Sequence, residues 1–177
     1  EVNMCGDCGH VQLRHVVDPA LLFENYFYVS GTSASFVAHL HGMARDLCKL
    51  APLAPGDLVI DIGSNDGTLL AGFKAEGAQV LGIDPARAIA QQATWDGIET
   101  EAGFFTPDWA AATRGRRGRA DIITASNVFA DVDDLAAVVR GVAGLLAPGG
   151  LFAFEVSYLV DVYEKVLFDT IYHEHLD

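Results

Sequence analysis

The sequence predicts an α/β fold built on a parallel sheet, and three observations predict it. Short apolar runs alternate with segments whose apolar residues recur at helical spacing. The run at 58–62, Leu-Val-Ile-Asp-Ile, is apolar almost throughout, as a strand covered on both faces must be. The runs end at Gly or Asp, which returns the chain to a helix and gives successive βαβ units.

The elements follow in order. Residues 1–34 stand apart as an N-terminal segment, with the Cys5-x-x-Cys8 pair and an aromatic cluster of Phe23, Tyr26, Phe27 and Tyr28. Residues 35–50 read as a helix, because Phe36, Val37, Leu40, Met43, Ala44 and Leu47 share one face, and Pro52 and Pro55 close it. The first strand is 58–62 and stops at Gly63; the following helix, 68–76, stops at Gly77. The second strand is 79–83, and a helix over 85–94 has Pro85 at a first-turn position, where a missing N–H is harmless. A weak third strand at 98–100 and a short helix at 109–113 come next. The fourth strand is 121–125. The helix over 134–146 carries Leu135, Val138, Val139, Val142, Leu145 and Leu146 on one side, and Pro148-Gly149-Gly150 introduces a fifth strand at 151–156.

Composition limits the function. The chain has 177 residues, 51% hydrophobic and 20% charged, which is globular and allows one domain with a small appendage. A net charge of −13 disfavours phosphate-backbone binding, so no nucleic-acid partner is expected. The one basic cluster, Arg114, Arg116, Arg117 and Arg119, reads as a solvated loop, with anion binding as the alternative. No apolar run approaches the ~20 residues of a membrane span, so no membrane partner is expected. An odd cysteine count without a leader pattern points to a reducing compartment, the cytoplasm; Cys48, in an apolar helical pattern, reads as a small core residue.

Open parallel sheets bind ligands beyond the carboxyl ends of their strands. Asp61-Ile62-Gly63-Ser64-Asn65-Asp66-Gly67 follows the first strand, Asp84 ends the second, and Asn127 follows the fourth. A carboxylate at Asp84 can accept from two ribose hydroxyls; capping the next helix is its alternative role. Asn127 is read as a ligand or as a plain turn residue, and Phe104 as flanking an adenine or as a core aromatic. A dinucleotide site wants G-x-G-x-x-G, whereas this loop is Gly63-x-x-x-Gly67 with Asn65 and Asp66 between the glycines. Acidic and amide groups suit a sulfonium cation and a zwitterionic amino acid better than a pyrophosphate. The loop, together with Ala147-Pro148-Gly149-Gly150, resembles the motifs of class I S-adenosylmethionine-dependent methyltransferases. That resemblance implies a Rossmann-like parallel sheet with flanking helices and an S-adenosylmethionine site formed by Asp61, Gly63, Ser64, Asn65, Gly67, Asp84, Phe104 and Asn127.

The C-terminal Tyr172-His173-Glu174-His175 follows the last strand and is read as an acid–base cluster, with a metal ligand set or a solvated tail as alternatives. At this point a more specific resemblance emerges, carried by residues 4–13 with Cys5 and Cys8, 22–33 with Tyr26, 61–67, and 168–176 with Tyr172, Glu174 and His175. These stretches resemble the C-methyltransferases that act on nucleotide-linked keto-deoxysugars in antibiotic biosynthesis. The resemblance implies that His175 is the general base, that Glu174 and Tyr172 hold the sugar and orient the base, and that Tyr26 lies near the keto oxygen. A packed aromatic is the alternative for Tyr26.

The same family binds a structural zinc with four cysteines. Cys5 and Cys8 match half of that set, so zinc is expected only in a longer form. The family carries a histidine where this chain has Asp131, and a carboxylate cannot donate as an imidazole does. The expected organisation is therefore an N-terminal segment over 1–34, the remnant of a zinc-binding domain plus an active-site lid. A cofactor domain follows over 35–177, with the last strands and a C-terminal domain lying beyond the chain. The expected partner is a small-molecule nucleotide-linked sugar, and the expected state is a monomer. The competing functions are methylation of oxygen or nitrogen in a small molecule, and a non-catalytic cofactor-binding or zinc-ribbon interaction module.

Overall fold

The computed structural model describes residues 2–166. The chain opens with an antiparallel hairpin, β1 (Val2–Met4) and β2 (Val11–Leu13), followed by a short helix α1 (Pro19–Phe23). The Asp18 carboxylate starts α1 by accepting from Ala20 N–H. The chain then enters α2 (Ala34–Leu50), capped by Ser33.

From there strands and helices alternate: β3 (Leu58–Ile62), α3 (Thr68–Ala75), β4 (Gln79–Asp84), α4 (Arg87–Trp95), β5 (Thr100–Ala102), α5 (Pro107–Arg117), β6 (Ala120–Ser126), α6 (Leu135–Leu145), β7 (Leu146–Glu155) and α7 (Leu159–Glu164). β3–β7 form one five-stranded sheet of order β5-β4-β3-β6-β7, with every neighbouring pair parallel. The chain runs outward from β3 through β4 to β5, then returns to β6 on the other side of β3. The carboxyl ends of β3 and β6 therefore flank the switch point where such sheets bind ligands.

β3 is buried along its whole length, which explains its unbroken apolar run. Leu58, Ile60 and Ile62 point to one face and pack with Ile123, Ala110 of α5, and Val138, Val142 and Leu145 of α6. Val59 points to the other face and packs with Ile122, Leu40 and Ala44 of α2, and Leu70 and Phe73 of α3. Each such large side chain, removed from water, contributes about 1.5–3 kcal/mol.

The element boundaries depart from the sequence reading in four places. α4 begins at Arg87, because the Asp84 carboxylate accepts Ala86 N–H and holds Pro85 in a turn ahead of the helix. The third strand lies at Thr100–Ala102, because Ile98 is buried and its N–H completes the end of α4 at Ala93. β7 starts at Leu146 and includes the Pro-Gly-Gly, with a bulge that shifts its register against β6. α5 runs on to Arg117, so Arg114, Arg116 and Arg117 lie on a helix and not in a solvated loop. Arg116 and Arg117 pair with Glu101 and Glu99, while Arg114 and Arg119 donate to the Gly144 carbonyl.

Candidate active site

The cofactor loop is shaped by its hydrogen bonds to the neighbouring strand. Gly63 N–H donates to Ile83 O at 2.8 Å and Gly67 N–H to Ser64 O at 2.9 Å, so the loop folds back over the end of β4. Gly63 has φ +67°, and a Cβ there would come within 2.5 Å of Val128. Gly67 has φ +79° and caps α3; a Cβ there would meet Ile98 at 2.6 Å. Both positions need glycine for conformation and for space. Ser64 is buried, with its hydroxyl unpartnered among the described residues.

Asp84 ends β4 with both carboxylate oxygens engaged. Oδ2 accepts Asn65 N–H at 2.8 Å and Oδ1 accepts Ala86 N–H at 2.8 Å. The helix-entry role weighed for Asp84 is therefore real, yet each oxygen keeps a second acceptor direction for a ligand hydroxyl. Burial pushes the Asp84 carboxyl above the usual range, against the pull of those two N–H donors. Asp61 is the deeper group. Burial pushes it up to about 7, the Thr124 hydroxyl at 2.7 Å opposes this, and the charge of Asp84 adds to it.

These residues line one cavity of about 930 Å³ at the carboxyl end of the sheet. Asp61, Gly63, Ser64, Asn65, Asp84, Phe104 and Asn127 all reach it, and so does Tyr26 from the N-terminal segment. Gly67 stands behind the loop, as the cap of α3. Phe104 is exposed on the cavity rim, while its neighbour Phe105 packs against Trp109. Asn127 adopts φ +54°, a left-handed conformation that asparagine tolerates, and donates its N–H to Glu155 O. Tyr26 is half-buried, edge-on to Phe23.

Among the described residues the charged side chains of the lining are all carboxylates: Asp18, Asp61, Asp84, Asp131, Asp133 and Asp134. No Lys, Arg or His joins them among the described residues. Such a cavity favours a cationic ligand over a phosphate.

Other expectations are corrected or fall elsewhere. The Asn65 amide, read as facing a ligand's charge, is engaged with the N-terminal segment: Oδ1 accepts Ser30 N–H and Nδ2 donates to Tyr28 O. Cys5 and Cys8 sit exposed at the tip of the β1–β2 hairpin and do not line the cavity. Hydrogen bonds from the Cys8 and Asp7 backbone lower the Cys5 thiol below its ordinary value. Among the described residues no group of three or more His, Cys, Asp or Glu could hold a metal. Tyr172, Glu174 and His175 lie outside the described residues. The sequence reading also missed His39 of α2, which bonds Glu155 at the end of β7 at 2.6 Å, because its partner lies 116 residues away. Among the described residues no helix is long and apolar enough to cross a membrane.

Sheet order, cavity position and loop geometry together define a Rossmann-like cofactor domain. Residues 36–177 match the family model described as a methyltransferase domain. The chain is 40% identical over 99% of its length to C-methyltransferase NovU of Streptomyces niveus, and spans 42% of that relative. It is 35% identical over 61% of its length to a ubiquinone biosynthesis O-methyltransferase of Ralstonia nicotianae, spanning 46% of that protein. A solved S-adenosylmethionine-dependent methyltransferase from Archaeoglobus fulgidus shares the fold, with a TM-score of 0.65 at 15% identity, over 80% of this chain and 62% of the other. The chain belongs to the methyltransferase domain family, and it spans less than half the length of the curated relatives it matches.

Proposed function

We propose that the protein methylates a sugar carbon next to a keto group of a nucleotide-linked deoxysugar, through an enolate. One observation carries this reading. Similarity to the C-methyltransferase takes in 99% of the chain, and so the N-terminal segment over the cavity, whereas similarity to the O-methyltransferase takes in 61%.

Bound in the cavity, S-adenosylmethionine would supply an electrophilic methyl group. Asp84 would accept from the ribose hydroxyls, and Asp61 would face the ammonium through its carboxylate. Gly63, Ser64, the Asn65 main chain and Gly67 would shape the wall for the amino-acid portion, with Phe104 beside the adenine and Asn127 at the β6 end. The buried Ser64 hydroxyl, unpartnered among the described residues, and the lining aspartates fit a cationic, hydroxyl-bearing group.

His175 would remove the proton from the carbon next to the ketone, with Glu174 and Tyr172 orienting it. The Tyr26 phenol would donate to the keto oxygen as negative charge develops there. Asp131 would serve as a hydrogen-bond acceptor for the sugar.

The experiment gives the intact protein a 4-keto-6-deoxy nucleotide sugar and cofactor carrying a ¹³C-methyl group. A product methyl bonded to carbon, absent with His175→Ala, supports the reading. A methyl bonded to oxygen, with the alanine variant active, would favour the O-methyltransferase relatives instead.

A further inference from the structure

Residues 18–33 form a strap along the cofactor cavity, with Asp18, Phe23, Tyr26, Tyr28 and Ser30 in its lining. Three hydrogen bonds tie this strap to the cofactor loop. Asn65 Oδ1 accepts Ser30 N–H at 2.9 Å, Asn65 Nδ2 donates to Tyr28 O at 2.9 Å, and Asp66 Oδ2 accepts Gly31 N–H at 2.8 Å. The Asn65 side chain thus pairs with the strap as a peptide group pairs with a strand, at a site where Ser30 and Asn65 are both buried. The other Asp66 oxygen, Oδ1, accepts from Thr68 N–H and Oγ1 at the first turn of α3, which fixes the carboxylate's aim.

The steric fit is equally close. A Cβ on Gly31 would lie 2.6 Å from Asp66 Oδ2, so a larger residue there would push this carboxylate away from the strap backbone. The same loop residue also reaches the cofactor side, because Asn65 N–H donates to Asp84 Oδ2. One residue therefore holds the Asp84 carboxylate with its main chain and the strap with its side chain.

We infer that Asn65 and Asp66 are positioning residues that hold the strap, and with it Tyr26, in place as the acceptor-side wall of the cavity. Their side chains serve the acceptor half of the reaction. For the methyl acceptor this rests on the function proposed above; for the strap it stands alone.

The test compares Asp66→Ala, Asp66→Asn and Gly31→Ala with the wild type in three measurements on the intact protein. S-adenosylhomocysteine affinity, by calorimetric titration, is expected to stay within about twofold. Chymotrypsin cleavage at the strap aromatics is expected to speed up, and acceptor kcat/KM to fall roughly 10- to 100-fold, as the loss of a charge-assisted hydrogen bond implies. Asp66→Asn keeps an acceptor oxygen and should recover part of both losses. The double variant Asp66→Ala with Gly31→Ala should be no worse than either alone, since both break one contact. Unchanged strap cleavage in folded Asp66→Ala, or an equal loss of cofactor affinity, overturns the inference. If the wild type fails to methylate the keto-sugar, the proposed function falls, while cleavage and titration still decide the strap.

Discussion

The Thr124 hydroxyl donates to Asp61 Oδ1 at 2.7 Å, across a register pair of the adjacent strands β3 and β6. It opposes the burial that pushes Asp61 up to about 7. A carboxylate facing the cofactor's ammonium must be ionised to bind well, and binding in turn favours ionisation. Cofactor affinity should therefore rise on the order of tenfold between pH 5.5 and pH 7 and then level off. Thr124→Val removes the opposing hydrogen bond and should move that rise to higher pH. Calorimetric titration across the range checks this, and a flat profile for the wild type would remove Asp61 from the ammonium site.

The same group carries a stability consequence of opposite sign. Its folded value lies above the ordinary carboxylate value of 3.8, so the folded state holds the proton more tightly than the unfolded chain does. Its contribution to stability is fully present below the unfolded value and is lost as pH rises toward 7. Asp61→Asn should abolish that loss, so the variant's stability should decline less than the wild type's between pH 4 and pH 7 in urea unfolding.

Asp84 offers a different separation. Asp84→Asn keeps one acceptor oxygen for two N–H groups and a ribose, so S-adenosylhomocysteine affinity should fall roughly 10- to 100-fold. Asp84→Ala should lose more, and should also lower the unfolding temperature, because Asn65 and Ala86 N–H both lose their acceptor. Equal affinity in Asp84→Asn and the wild type would make Asp84 a turn residue only.

The part of this site legible in the sequence is the part built from neighbours in the chain. β3 is buried on both faces and so reads as an apolar run; Gly63, Gly67 and Asp84 then fall where that strand and the next one end. What stayed hidden depends on distant partners. Asn65 has the composition of a ligand residue, but Ser30, which claims its amide, lies 35 positions away. The Arg114–Arg119 cluster has the composition of a loop, but Glu99 beside β5 and Glu101 within it meet Arg117 and Arg116 on a longer helix. Periodicity cannot report either fact, because both are products of the sheet order.

Gly63 tests how conformation and space share one position. Gly63→Ala places a Cβ 2.5 Å from Val128 Cγ2 at a φ of +67°. The backbone strain alone costs about 1–3 kcal/mol, and the clash adds to it. Val128→Ala in the same chain should relieve the clash and leave the strain. The double variant should therefore be more stable than the sum of the two single variants, yet less stable than Val128→Ala alone, by urea unfolding. Strict additivity would mean that the loop moves away from Val128 without resistance.

Tyr26 separates the chemistry from the architecture. Its ring packs edge-on to Phe23 at 5.7 Å, and hydrogen bonds at Tyr28, Ser30 and Gly31 tie the strap to the cofactor loop. Tyr26→Phe keeps the ring and its packing against Phe23 and removes only the phenol hydroxyl. If the phenol donates to the developing enolate oxygen, kcat should fall about 100-fold with acceptor KM little changed, because that hydrogen bond strengthens only as the charge appears. A rise in KM with kcat preserved would instead make the hydroxyl a ground-state contact to the sugar. A variant indistinguishable from the wild type would reduce Tyr26 to a packed aromatic and leave the enolate oxygen to other donors.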